Sequence, residues 1–338
     1  MIRIPAEWEP HEFCLMAWAV HNEWGADTDA VEQELCGVIA TIADYDPVVV
    51  LTPPDRLAAA RAMLPSSNVT IVPAPVDDIW MRDIAPTCAT RGLDRILIDW
   101  NFNGWGAPRE RPSRPGDRIA GFLSTYLEFP IVHAPFIAEG GGFATNGGGV
   151  IITTKSCLFS ERRNPAFGLD ETIRMSVFEH GLRPLGGRRV IWLEGDADEP
   201  ITNGHVDGFL MFSSPTSLLL EAEDSMQMER SLRARDVATL RSSSDCNGEP
   251  FDITIIRPPR IRSGMKSHLG AYCYANAYVT NSAVIVPCFG DSDRDELALT
   301  TFRNAFQNRD IRMLRIDHIV SGGGGIHCLT QPILQQLL

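Results

Sequence analysis

Lysine is scarce in this chain: Lys155 and Lys266 are the only two among 30 basic residues, which face 43 acidic ones for a formal charge of −13. Such a balance argues against nucleic acid or an anionic membrane surface as partner, because both repel an acidic protein. It suits a small cationic substrate. Long apolar runs are also missing. None approaches the roughly 20 residues that a membrane-spanning helix needs, and the opening residues Met1 to Trp8 lack the apolar stretch of a secretory signal. The cysteines at 14, 36, 88, 157, 246, 273, 288 and 328 contain no Cys-x-x-Cys pair, which excludes the usual zinc-ribbon spacings and gives no disulfide framework. No His-Glu-x-x-His sequence appears, and neither glycine run (140–142, 147–149) leads directly into Lys-Ser/Thr as a phosphate loop would. A reduced, cytoplasmic enzyme is the reading that these absences leave.

What is present is ordinary globular material. Apolar residues at 44% and charged residues at 22% allow a sizeable core over 338 residues, as two domains or one large unit. Phe13 to Trp18, Pro47 to Thr52 and Val69 to Val72 read as strands, and Asp29 to Ile42 and Pro54 to Leu64 read as helices. Strand and helix continue to alternate: strands at Arg95–Asp99, Pro130–Val132, Val150–Thr154, Arg189–Leu193, Leu218–Ala222, Ile253–Ile256 and Ile311–Ile316, helices at Ile119–Tyr126, Asp170–Gly181, Ser225–Arg241 and Asp291–Phe306. Ala271–Thr280 and Ala283–Pro287 read as a β pair across Asn281-Ser282. Asn146 to Gly149 reads as a hairpin turn. Arg109–Arg118 and Pro258–Lys266 read as exposed connections, and Cys157–Pro165 as a turn-rich one. The alternation makes the fold class α/β.

Chemistry-bearing residues interrupt this pattern. In Ser321-Gly322-Gly323-Gly324-Gly325-Ile326-His327-Cys328, the glycines let the backbone turn sharply or pass close to a ligand, and they deliver one thiol. Cys328 is a candidate nucleophile; Pro332 is expected to end regular structure soon after. In Asp77 to Thr87, Arg82 could simply pair with a neighbouring acid, or Asp83 and Trp80 could line a cationic pocket, the carboxylate pairing with the cation and the indole stacking on it. Asn101 to Gly106, with Trp105, is an aromatic loop. Glu139 precedes three glycines. His205 and Asp207 lie two apart on a segment read as extended, so both point to one face, and they read as a general acid/base with a supporting carboxylate rather than as metal ligands.

Asp83, Glu139, His205, Asn276 and Cys328 recur at intervals of roughly 50–70 residues, each interval holding strands and a helix. A repeated strand-and-helix unit set about an axis would bring all five to one central mouth.

Trp80-Met81-Arg82-Asp83, Glu139-Gly140-Gly141, Gly204-His205-Val206-Asp207 and Gly322-Gly323-Gly324 through His327-Cys328-Leu329-Thr330-Gln331 together resemble the agmatine deiminase (peptidylarginine deiminase-like) family of guanidine-modifying enzymes. The resemblance runs from about Pro5 to Gln331. It implies a single domain over residues 1–338 with the five-bladed, pseudo-symmetric α/β-propeller (pentein) fold. It also implies Cys328 as nucleophile, His205 as acid/base, and Asp83, Glu139 and Asp207 as guanidinium ligands, with no metal or organic cofactor. The expected partner is a small cationic guanidino substrate, agmatine first and another arginine-derived guanidine second; a homodimer or higher homo-oligomer stays open. Trp80, Trp105, Asn203 and Gly325 are expected at the substrate. The chain departs from the family pattern at Asn203, where the family carries Asp, and at Gly325, where it carries Asn. Two rivals accept the same residues: an amidinotransferase, and a guanidine-binding protein without catalysis.

Overall fold

Each apolar run becomes a strand in one of five separate sheets in the computed structural model, which describes residues 1–64, 67–107, 119–223, 233–260 and 270–336. β2 (His11–Ala17), β3 (Val48–Thr52), β4 (Val69–Pro73) and the C-terminal β17 (Gln331–Leu334) form one sheet in the order β17-β2-β3-β4. β1 (Ile2–Arg3), β5 (Thr87–Arg91), β6 (Asp94–Asp99) and β7 (Ile131–His133) form the second in that order. The remaining three sheets have three strands each. They are β8 (Ala144–Thr145) with β9 (Val150–Thr154) and β10 (Arg189–Leu193), β11 (Leu210–Phe212) with β12 (Ser217–Glu221) and β13 (Asp252–Ile256), and β14 (Tyr278–Val279) with β15 (Ala283–Cys288) and β16 (Asp310–Arg315).

One plan repeats in all five. A middle strand pairs antiparallel on one side and, after a helical crossover, parallel on the other; the antiparallel strand comes first in four sheets and is supplied by the C-terminal β17 in the β2 sheet. The middle strands are continuously apolar and buried on both faces: Val150-Ile151-Ile152 and Ala283-Val284-Ile285-Val286 have no exposed residue. The outer strands β13 and β16 alternate exposed and sheltered positions, as an edge does when it keeps one face in water. The crossover helix Thr28–Ala43 shows how the pattern closes the core: Val31, Leu35, Val38, Ile39 and Ile42 share one buried stripe. Helix Glu171–Leu182 starts where Asp170 accepts the Ile173 amide at 2.9 Å.

Neighbouring sheets share cores. Leu15 and Leu51 pack in one apolar cluster with Leu97, Ile96 and Ile98 with Ile151, and Val150 and Ile152 with Leu210 and Leu218. A fourth cluster joins Met211 and Leu219 to Val284 and Ile285, and these in turn to Met16 and Val50 of the first sheet. Apolar contact therefore runs through the sheets in chain order and returns to the start.

The strand that completes the first sheet was the least expected. Pro332 does not end regular structure; it lies in β17 opposite Cys14. β17 is an edge strand, where a residue without an N–H is tolerated because the missing donor faces away from the ladder. Two other readings are corrected. Residues 271–277 are irregular with a turn at 274–276, the strand β14 is confined to Tyr278–Val279, and Asn276 directs its side chain to Cys328 and to the Asp207 carbonyl. The segment after His205 is not extended either: Val206–Gly208 is one turn of 3-10 helix. Cys157–Pro165 contains the end of a short helix, Lys155–Leu158. Arg109–Arg118, most of Pro258–Lys266 and the first half of the helix expected over Ser225–Arg241 lie outside the described residues; its second half is the helix Arg233–Arg241. Among the described residues no helix is long and apolar enough to cross a membrane.

Candidate active site

Just before each antiparallel strand the chain makes a tight turn, and these five turns carry the polar outliers. Met81–Ile84 presents Asp83, Glu139 leads the 3-10 turn Gly140–Gly142, His205 and Asp207 flank Val206, Asn276 precedes β14, and Ile326–Leu329 presents Cys328. They meet although up to about 250 residues separate them.

Cys328 Sγ lies 3.6 Å from Asp207 Oδ2 and accepts a hydrogen bond from Asn276 Nδ2 at 3.2 Å; the Cys328 amide donates to Asn276 Oδ1 at 3.3 Å. His205 turns one nitrogen to each side. Its Nε2 is 3.1 Å from Glu139 Oε2, and its Nδ1 is 3.7 Å from Asp83 Oδ2 and 3.9 Å from Asp207 Oδ1. Asp83 is held by the Gly141 amide at 2.9 Å and by the Trp105 indole N–H at 2.8 Å. Gly141 sits where these groups converge. A Cβ there would stand 2.7 Å from His205 Nδ1 and 2.8 Å from both Asp207 Oδ2 and Asp83 Oδ1, so only a residue without a side chain lets the three approach.

Asp83, His205, Asp207, Asn276 and Cys328 line a cavity of about 370 Å³ that also takes in Trp80, Trp105, Gly204 and Gly322 to Gly324. Trp80 forms a wall against which Gly324 packs so closely that a Cβ would meet the indole at 2.4 Å. Three expected substrate contacts lie elsewhere. Glu139 is fully buried behind His205, with Arg163 Nε donating to both its oxygens at 2.8 and 3.0 Å. Asn203 accepts from Arg163 Nη1 at 3.0 Å, and Gly325 abuts the Asn276 side chain, 2.6 Å from where a Cβ would be. None of the three lines the cavity. Glu139, Cys157 and His205 bring ligand-type atoms within 4.8 Å of one another, but the Arg163 guanidinium already occupies the Glu139 carboxylate.

Behind the cavity lies a buried chain that the sequence did not disclose. Arg82 pairs not with a neighbouring acid but with Glu7, at 2.8 and 3.2 Å. Glu7 also stands 3.5 Å from His327 Nε2, and His327 Nδ1 lies 2.8 Å from Asp207 Oδ2. Arg163 lies in the segment read as a turn-rich connection, and nothing in the sequence singled out Glu7 or His327 for these pairings; no local pattern marks a partner so far along the chain. Asn276 was visible through its spacing alone.

The electrostatics follow from burial set against these partners. Burial and the carboxylates of Asp207 and Asp83 push the Cys328 thiol well above its ordinary pKa, outweighing the Gly325 and Asn276 donors. Burial opposes a charge on His205, yet Asp83, Cys157 and Glu139 outweigh it and raise the imidazole well above the usual value. Burial raises Asp83, with His205 opposing. For Asp207, burial is overcome by His327, His205 and Arg82, and the carboxyl is lowered. Glu139 is lowered as well, because His205 and Arg163 outweigh its burial. A buried thiol facing two carboxylates and an imidazole, beside indole walls, is a place for a planar cation.

Fold and site together define a hydrolase acting on carbon–nitrogen bonds of amidines. The chain belongs to the Porphyromonas-type peptidyl-arginine deiminase family, whose profile matches residues 3–333. It is 32% identical over 333 residues to a Legionella pneumophila protein named "Putative agmatine deiminase", covering 97% of this chain and 93% of that one. A Streptomyces coelicolor protein of the same name is 32% identical over 342 residues, covering 97% and 98%. Among solved structures, the agmatine deiminase of Enterococcus faecalis superposes with a TM-score of 0.89 at 26% identity, over 99% of this chain and 96% of that one.

Proposed function

We propose that this protein is a guanidine iminohydrolase whose substrate is agmatine, converted with water to N-carbamoylputrescine and ammonia. The observation that carries the reading is the placing of Cys328 Sγ 3.6 Å from Asp207 in a cavity that Asp83 and His205 also line. A guanidinium is planar and protonated at any working pH, so carboxylates that accept its paired N–H groups hold it in one plane. Asp83 and Asp207 take that role. Glu139, out of reach of the cavity, supports His205 from behind.

The reaction then follows from the groups present. In the empty site the thiol is neutral and the imidazole protonated. The cationic substrate offsets the two carboxylates and favours the thiolate, the thiol proton passing to solvent because His205 already carries its own. Cys328 Sγ adds to the guanidinium carbon, and His205 Nδ1 protonates the departing nitrogen, which leaves as ammonia. The carbon remains bound to sulfur as a thiouronium. A water that gives one proton to His205 attacks the same carbon, the carbon–sulfur bond breaks to restore the Cys328 thiolate, and the ureido product leaves as its remaining acidic proton passes to solvent. The amidino carbon goes to water rather than to an acceptor amine, which separates this reading from an amidinotransferase.

The five sheets, each repeating one strand plan and packed on the next, fit the blades of an α/β propeller closed by β17, with residues 1–338 as a single catalytic domain around the central mouth.

Purified protein with agmatine is expected to release ammonia and form N-carbamoylputrescine, and Cys328→Ser to abolish turnover while agmatine binding persists. Ammonia release by Cys328→Ser at the wild-type rate would remove the covalent mechanism. Turnover of another guanidine but not agmatine would move the substrate. Formation of a new guanidine on adding an acceptor amine would establish amidino transfer instead.

A further inference from the structure

Most carboxylates around the cavity already have work. Asp83 holds Trp105 and Gly141, Asp207 holds His327, and Glu199 accepts the amides of Ile201, Thr202 and Gly204. Glu221 is different. It lines the same cavity and is buried, and its one hydrogen bond to a backbone donor is from the Tyr274 amide at 2.7 Å. Among the described residues no charged side chain hydrogen-bonds it. Its place in the fold is tied to the reacting groups from two sides. The Glu221 amide donates to the Phe209 carbonyl, two residues after Asp207, and Tyr274 lies two residues before Asn276, which touches the thiol.

We propose that Glu221 is the specificity-determining residue of this site, accepting the distal ammonium of a guanidine substrate that carries no carboxylate. The inference rests on the guanidine reading above and assigns the end of the pocket that the mechanism leaves unused. A short alkyl tail leading from a guanidinium at Asp83 and Asp207 meets a buried acid to which no charged side chain among the described residues is hydrogen-bonded, and an ammonium supplies that partner. A substrate tail ending in a carboxylate meets like charge there and on the rim at Asp196 and Asp198. The one cation on the described lining, Arg233, donates to Asp236 at 3.2 Å and lies 3.4 Å over the Phe209 ring, so its charge is already matched.

Burial pushes the Glu221 carboxyl up to about 8, with the Tyr274 amide, Cys273 and Arg233 opposing and Glu223 adding to the rise. At neutral pH the empty site therefore holds a neutral acid. An ammonium arriving beside it favours the carboxylate, and the proton passes to solvent.

The test compares agmatine with 1-butylguanidine, which has the same guanidinium and chain length and no distal amine. In wild type and Glu221→Gln, ammonia release gives kcat/KM for each compound. In Cys328→Ala with and without Glu221→Gln, calorimetry at pH 7 in two buffers of different ionisation enthalpy counts protons released on binding. Glutamine keeps the oxygen that accepts the Tyr274 amide, so the fold is retained, and butylguanidine turnover reports it. Expected is a loss in kcat/KM for agmatine of about 10- to 100-fold, the size of a charge-assisted hydrogen bond, with butylguanidine unchanged. About one proton released with agmatine is also expected, lost in the glutamine variant. Equal losses on both compounds, or an unchanged agmatine value with unchanged proton release, overturn the assignment and leave deimination standing. Absence of turnover with the calorimetric difference intact sinks the deiminase reading and leaves Glu221 as the ammonium site. Failure of agmatine to bind overturns both.

Discussion

Glu7 shows how much a single side chain can depend on residues remote in sequence. Burial alone would raise its carboxyl, but Arg82 and His327 hold it far below the ordinary value of 4.5. A lowered folded pKa means that the stabilisation is complete above the unfolded value and fades as the pH drops through it toward the folded one. Glu7→Gln leaves Arg82 buried without its anion, which costs about 3 kcal/mol. Thermal melts at neutral pH are expected to show a lower Tm for the variant, with the gap narrowing progressively as the pH falls below about 4, where the unfolded wild type takes up a proton that the folded pair still excludes. A gap constant from pH 7 to 3 would mean that the pair contributes by packing alone. Cys328 and His205 belong to the same scale: each can be named from its neighbours in the chain, but the pKa of each is set by partners that the chain order hides.

At the level of the element, Gly141 is what lets the turn after Glu139 pass through the point where three functional side chains converge. In the sequence Gly140–Gly142 stand out only as three glycines after a carboxylate that do not continue into a phosphate loop. The structure shows that the absent side chain at Gly141 is the space in which Asp83, His205 and Asp207 come together. Gly141→Ala is therefore expected to lower kcat for agmatine by at least about 100-fold, the scale of a displacement near one ångström at reacting groups. Its circular dichroism should be unchanged, since only flexible side-chain ends are crowded. Activity within a few-fold of wild type would show that the three groups can separate without loss. The strands were legible because each has a local signature: β3, β9 and β15 are short, apolar and bounded by turn residues. β1, β5 and β17 carried weaker ones. β1 has two residues, and β17 contains a proline that only its edge position excuses. His205 and Asp207 do share one side as expected, but through a turn of 3-10 helix rather than through strand alternation.

Across the whole molecule the dominant property is charge. A protein at −13 with acids around its cavity attracts a cation from a distance, and salt screens that attraction over a length of about 10 Å at 0.1 M. The KM for agmatine is expected to rise several-fold between about 0.02 and about 0.5 M sodium chloride, with kcat little changed. A flat KM would confine the electrostatics to direct contacts inside the cavity. The C-terminal β17 pairs with β2 near the N-terminus, so the sheet that begins the chain is finished by the segment that follows Cys328.

The amino-acid sequence by itself determined the strand-and-helix alternation, the fivefold recurrence of polar residues and the identity of the thiol, because periodicity, turn chemistry and motif are properties of neighbouring residues. Only the tertiary structure decided who partners whom. It put Glu139 behind His205 with Arg163, joined Glu7 to His327 across the chain, and left Glu221 facing the cavity with no charged side chain among the described residues hydrogen-bonded to it. Those pairings are set by how five packed sheets bring their entry turns together, and side chains that meet over hundreds of residues leave no mark in local spacing.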